Sequence, residues 1–195
     1  IWSQVPRHHQ TQFSVIPCNG DEIKRYQKSL EAILGSLRES GTPAGYALLD
    51  GDKPLPKANR QCPQDQIRYV RLNCHEAENL LLCDEVLSQL DLDWQQAVEK
   101  ISKQSDQFGQ KSDFLNSVEK WDRQNVDIHE LMGQLTQILD PKNVHWTIRV
   151  ARAIGQSKPK GQLADFLGTS VIDALWREQP ATGSSHAEES TETVS

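Results

Sequence analysis

The chain has 195 residues, enough for one sizeable core, but only 36% are hydrophobic, so much of it is surface, linker or tail. A formal charge of −6 excludes attraction to nucleic acid by net charge, while leaving room for a local basic groove or a metal site. Four cysteines without a Cys-x-x-Cys pair argue against a zinc site or a secreted disulfide framework, and no apolar run approaches the ~20 residues of a membrane span.

Residues 1–10 have no period, and with Ile1 in place of Met they read as an irregular N-terminus of a fragment. Thr11 to Ile16 reads as a short strand, followed by the turn Pro17-Cys18-Asn19-Gly20. Ile23, Tyr26, Leu30, Ile33, Leu34 and Leu37 recur at three- and four-residue spacing and predict an amphipathic helix, with Asp21 to cap it and Gly41-Thr42-Pro43 to stop it. A continuous run from Ala44 to Leu49 predicts a parallel strand covered on both faces. This strand–helix–strand unit has the size of a right-handed βαβ crossover.

Lys53 to Gln66 is a loop with Pro54, Pro56 and Pro63, and Gln66 to Leu72 alternates polar and apolar residues, as a strand nearer a sheet edge does. Beyond residue 84 the pattern turns helical, with segments at Glu85 to Leu90, Trp94 to Lys103, Asp113 to Trp121, Ile128 to Leu139, Thr147 to Ile154, Gln162 to Leu167 and Val171 to Arg177. Several are too polar to be covered on both sides, so a helical extension over 85–178 is expected beside the sheet. The small, polar, acidic tail 179–195 is expected to be disordered.

The chemistry-bearing residues lie at strand ends. Asp50 and Asp52 follow one strand, and Glu76 and Glu78 follow the next. If these strands are parallel neighbours, all four carboxylates converge on one edge of the sheet, where α/β proteins place their sites. Such a cluster repels itself unless a cation sits within it, and Mg²⁺ or Mn²⁺ with oxygen ligands is the usual solution. The plainer readings are a turn for Asp-Gly and helix N-terminal acids for the glutamates. Asn79 has the chemistry to cap a turn or orient a carboxylate.

A βαβ unit ending in Leu48-Leu49-Asp50-Gly51-Asp52, a further strand, and then His75-Glu76-Ala77-Glu78-Asn79-Leu80-Leu81-Leu82 resembles the TOPRIM fold, the metal-binding catalytic domain of topoisomerases, primases and certain nucleases. The nearer likeness is to the TOPRIM domain behind an ABC-type ATPase in overcoming-lysogeny-defect (OLD) nucleases and related phage-defence proteins. There an Asp-x-Asp strand end precedes a Glu-Asn-Tyr-Leu-like segment, which Glu78-Asn79-Leu80-Leu81 resembles. The similarity covers about residues 11–84, a TOPRIM-like α/β core with a parallel sheet and flanking helices.

The resemblance implies a nuclease that hydrolyses phosphodiesters with Mg²⁺ or Mn²⁺, held by Asp50 and Asp52, with one of Glu76 and Glu78 as a further ligand and the other as a base. It also implies a lysine after the acidic cluster, for which Lys158 and Lys160 in Gly155-Gln156-Ser157-Lys158-Pro159-Lys160-Gly161 are the candidates. The implied partners are nucleic acid, DNA first, and an ATPase domain or subunit, in a cytoplasmic protein whose oligomeric state is open. One departure stands out: a TOPRIM domain opens with a strand ending in glutamate, usually Val-Glu-Gly, and nothing before Thr11 matches it. No Walker A sequence is present either. The chain is thus expected to begin after that glutamate and after the ATPase.

Other features carry less. His8-His9 reads as a terminus and His75 as a strand-end residue beside the acids. Trp94, Trp121, Trp146 and Trp176, with apolar neighbours, read as helix-packing residues rather than base-stacking platforms. Arg149 and Arg152 share a helical face suited to phosphate or an ATPase partner, or simply to water. The rival functional classes are a non-catalytic interaction module coupled to an ATPase and a receiver-like or phosphatase-like Mg²⁺ protein. The second fits poorly, because Lys53-Pro54 follows the Asp-x-Asp where such a phosphatase has Thr or Val.

Overall fold

Two short strands anchor the architecture. The computed structural model describes Ser3, residues 45–55 and residues 67–176. The strand and helix predicted over 11–37, most of the proline-rich loop, Cys18, Cys62 and the acidic tail lie outside the described residues. β1 (Gly45–Leu49) and β2 (Ile67–Arg71) pair in parallel, with Gly45 opposite Ile67 and Leu49 opposite Arg71. Both strands occur where the apolar patterns predict them, and the parallel relation is the one that brings their carboxyl ends together.

Their burial runs opposite to expectation. Leu48 of β1 is 37% exposed, whereas Tyr69 and Val70 of β2 are 6% and 3% exposed. The cause is a helix at the C-terminal end of the described region. α7 (Thr169–Leu175) packs on β2 and Ser170 Oγ donates to the Arg71 carbonyl, so β2 is the better covered strand.

The rest is helical: α1 (Asp84–Leu87), α2 (Trp94–Gln104), α3 (Ser112–Asn116), α4 (Met132–Leu139), α5 (Trp146–Ser157) and α6 (Gly161–Leu167) precede α7. α2 starts where Asp93 accepts from Gln96 N–H while the Gln96 side chain accepts from Asp93 N–H, a reciprocal cap that satisfies two otherwise orphaned donors. Its Ala97, Val98 and Ile101 form the buried face. The segment predicted as one helix over 113–121 is broken. Ser117 Oγ donates to Phe114 O at 2.7 Å, a local bond that competes with the helical ladder, and a 3₁₀ turn, Val118–Lys120, follows.

One buried cluster runs from Val70, Leu72 and Cys74 through Leu80–Leu82, Ile101, Leu135 and Ile154 to Leu163 and Val171. Helices and β2 therefore share a core. Trp94, Trp121, Trp146 and Trp176 are half-buried against it, as predicted. Arg149 departs from its expected outward role: it is 8% exposed, and its Nε and Nη2 reach Asp140 Oδ2 at 2.8 and 2.6 Å. That guanidinium is committed to the interior. Among the described residues no helix is long and apolar enough to cross a membrane.

Candidate metal centre

β1 ends at Leu49, and the chain turns through Asp50-Gly51-Asp52 directly against the continuation of β2. Leu72 N–H donates to Leu49 O at 2.9 Å, Asp52 N–H to His75 O at 3.0 Å, and Lys53 N–H to Asp50 O at 3.2 Å. Gly51 is required by close approach: a Cβ there would stand 1.9 Å from the Cys74 carbonyl oxygen. The Asp-Gly-Asp spacing is thus a packing device as well as a pair of acids.

Asp50 Oδ1 accepts from Ala77 N–H at 3.2 Å, tying the end of β1 to the 3₁₀ turn Ala77–Leu82 that follows Glu76. Asn79, fully buried, organises that turn. Its Oδ1 accepts from Glu76 N–H at 3.0 Å, and its Nδ2 donates to Arg123 O and Val126 O at 2.9 and 2.8 Å. Through Asn79 the loop after Trp121 is held beside the glutamates, and it delivers Asp127 and His129.

His129 Nδ1 lies 3.1 Å from Glu78 Oε1 and 3.5 Å from Glu76 Oε2. Glu76 Oε2 is buried and, among the described residues, accepts no hydrogen bond. Two groups of donor atoms lie within 4.8 Å of one another, Glu76–Glu78–His129 and His75–Glu76–Asp127, with Glu76 common to both.

The charges act on one another across this edge. Burial raises the Asp50 carboxyl above its ordinary value, and Glu78 and Asp52 add to the rise against the Ala77 N–H. Burial likewise raises the Glu76 carboxyl; the nearby charges of Glu78 and Asp127 reinforce that rise, and His129 and His75 oppose it. Lys53 holds Asp52 Oδ2 at 2.6 Å, and its ammonium is stabilised first by that bond and further by Asp50 and Glu76.

The structure therefore brings Asp50, Asp52, Glu76 and Glu78 into one electrostatic neighbourhood. The glutamates converge at ligand distance with histidine; among the described residues, Asp50 and Asp52 join no such group. Lys158 and Lys160 sit elsewhere, as the left-handed cap of α5 and the residue before α6, on a turn next to Glu85, whose Oε2 accepts from Leu163 N–H. Among the described residues, the lysine at the acids is Lys53. Asp127 and His129 were not signalled, since single polar residues in a polar loop look solvated; Asn79 was the available clue.

Carboxylates with imidazole suit a divalent cation such as Mn²⁺, which takes both donor types, while Mg²⁺ would lean on the oxygens and water. The orphaned Glu76 Oε2 fits such an ion. Neither a protein-family model, nor a curated protein, nor a solved structure matches the chain.

Proposed function

We propose that this chain is a nuclease-like domain of TOPRIM type that hydrolyses nucleic-acid phosphodiesters with Mn²⁺ or Mg²⁺ as part of an OLD-like ATPase–nuclease. One observation carries the reading: parallel pairing of β1 and β2 ties Asp50, at the end of one strand, to the Ala77 N–H between Glu76 and Glu78 after the other. The order Asp-x-Asp, strand, Glu-x-Glu-Asn thus has a spatial counterpart.

Glu76, Glu78 and His129 are the donors that already converge, with Asp50 beside Glu78. Asp52 joins them by exchanging Lys53. A bound divalent cation supplies polarisation of a phosphoryl oxygen and neutralisation of developing charge. Glu76, whose carboxyl burial raises above its ordinary value, accepts the proton of an attacking water. Lys53 takes the part that the resemblance gives Lys158 or Lys160, placing a cation where charge grows on phosphate.

A second reading, the non-catalytic module, is favoured by Lys53 and His129 lying directly against the acids, the places a metal would take. Calorimetric titration with Mn²⁺ and Mg²⁺, joined to cleavage of a labelled DNA oligonucleotide in Mn²⁺, separates them. Saturable binding and cleavage in the wild type, both lost in Glu76→Gln/Glu78→Gln with unchanged circular dichroism, is expected. Absence of metal binding by the wild type, or cleavage unaffected in the double variant, would sink the nuclease reading.

A further inference from the structure

Joined to the Asp50–Lys53 turn through Arg71, a cleft of about 360 Å³ opens between the end of β2 and the junction of α6 and α7. Arg71, Asn73, Thr169 and Ser170 line it, with Leu55 and Asp165. Arg71 is exposed, and its Nη1 donates to the Lys53 carbonyl at 3.3 Å. Among the described residues no carboxylate pairs with its guanidinium. A guanidinium in an open cleft, with one donor used and hydroxyl and amide side chains around it, has the donor fork that phosphate oxygens match.

The connection to the acids is short. Lys53 links the two places through one residue, its carbonyl accepting from Arg71 and its ammonium holding Asp52. A strand bound at the carboxylates and continuing past Lys53 would meet Arg71. The backbone around it is fixed, because Asn73 N–H donates to Phe166 O at 2.9 Å and Asn73 Nδ2 to Asp165 O at 3.0 Å.

We propose that the cleft between β2 and the α6–α7 junction binds a phosphate of the nucleic-acid strand next to the one cleaved, with Arg71 as its ligand. The proposal rests on the nuclease reading and adds a substrate-positioning residue to it. Asp165, the one carboxylate lining the cleft among the described residues, opposes such a ligand, so its removal should act in the opposite direction to loss of Arg71.

The test is fluorescence-anisotropy binding of a labelled single-stranded DNA oligonucleotide in EDTA, over a salt series, with the wild-type chain, Arg71→Gln, Arg71→Lys and Asp165→Asn. Losing one charge-assisted phosphate contact should weaken binding about tenfold in Arg71→Gln and lower the salt slope by about 0.7. Arg71→Lys should recover most of the slope, since it keeps the charge, while Asp165→Asn tightens binding. Because Asp165 is exposed, that variant tests the cleft even if Arg71→Gln unfolds. Unchanged affinity and slope in both Arg71→Gln and Asp165→Asn would overturn the cleft while leaving the carboxylate reading intact. A wild-type chain that binds no oligonucleotide also overturns it, and the Mn²⁺ titration, which does not involve the cleft, then judges the nuclease reading separately.

Discussion

Gly51→Ala should be the most damaging one-carbon change on the candidate site. The new methyl would lie 1.9 Å from the Cys74 carbonyl oxygen and 3.0 Å from that of Leu72, against a floor of 3.0 Å for real Cβ contacts. The turn and the 72–75 segment must therefore separate by about 1.1 Å, the difference between 3.0 and 1.9 Å. Both colliding groups are backbone, so no rotamer change relieves the contact. Overpacking of this kind costs about 1–3 kcal/mol, and the neighbouring bond from Asp52 N–H to His75 O adds about 1 kcal/mol if it breaks. A loss of about 2–4 kcal/mol follows, with weaker Mn²⁺ binding as Asp50 and Asp52 move from the glutamates.

Gly133→Ala is the internal control. Gly133 lies within α4, and a Cβ there meets nothing within 4 Å, so alanine should stabilise the chain by up to about 1 kcal/mol through helix propensity. Urea unfolding followed by circular dichroism measures both variants. Equal midpoints for Gly51→Ala and wild type would refute the packing argument at the Asp-Gly-Asp turn, whatever Gly133→Ala does.

Two further outcomes follow from the charges. Asp140→Asn leaves the Arg149 guanidinium buried without its counter-charge and should cost about 3–5 kcal/mol in urea unfolding at pH 7; a loss under 1 kcal/mol would contradict that account. Burial alone would raise Asp140, but the Arg149 bond and the Lys142 N–H outweigh it and hold the carboxyl below its ordinary value. Its contribution is therefore present above the ordinary aspartate range and lost as pH falls through the folded value. Glu76 has the opposite sign. Its raised folded value means its contribution is complete below the ordinary glutamate range and is lost as pH rises through the folded value. In EDTA, Glu76→Gln should match wild-type Tm below the ordinary glutamate range and exceed it as pH rises through the folded value, then hold level; a pH-independent difference would show that the cluster imposes no such penalty.

Sequence pattern alone determined the local elements. Apolar runs marked β1 and β2, and the helical pattern over Trp94 to Lys103 marked α2. These signals survive because they depend on neighbours within a few residues. The parallel approach of the two strand ends was conditional in the sequence, since nothing local specifies which strands pair. Tertiary structure settled that, and with it the company each charge keeps. Arg149 looked available for phosphate until Asp140 drew it into the core, and Lys53 looked like the start of a loop until the turn set it on Asp52. Asp127 and His129 reach the glutamates because a buried Asn79 grips the carbonyls of Arg123 and Val126, 44 and 47 residues away in sequence. Period and propensity carry no information across that distance; hydrogen bonds made only in the folded chain do.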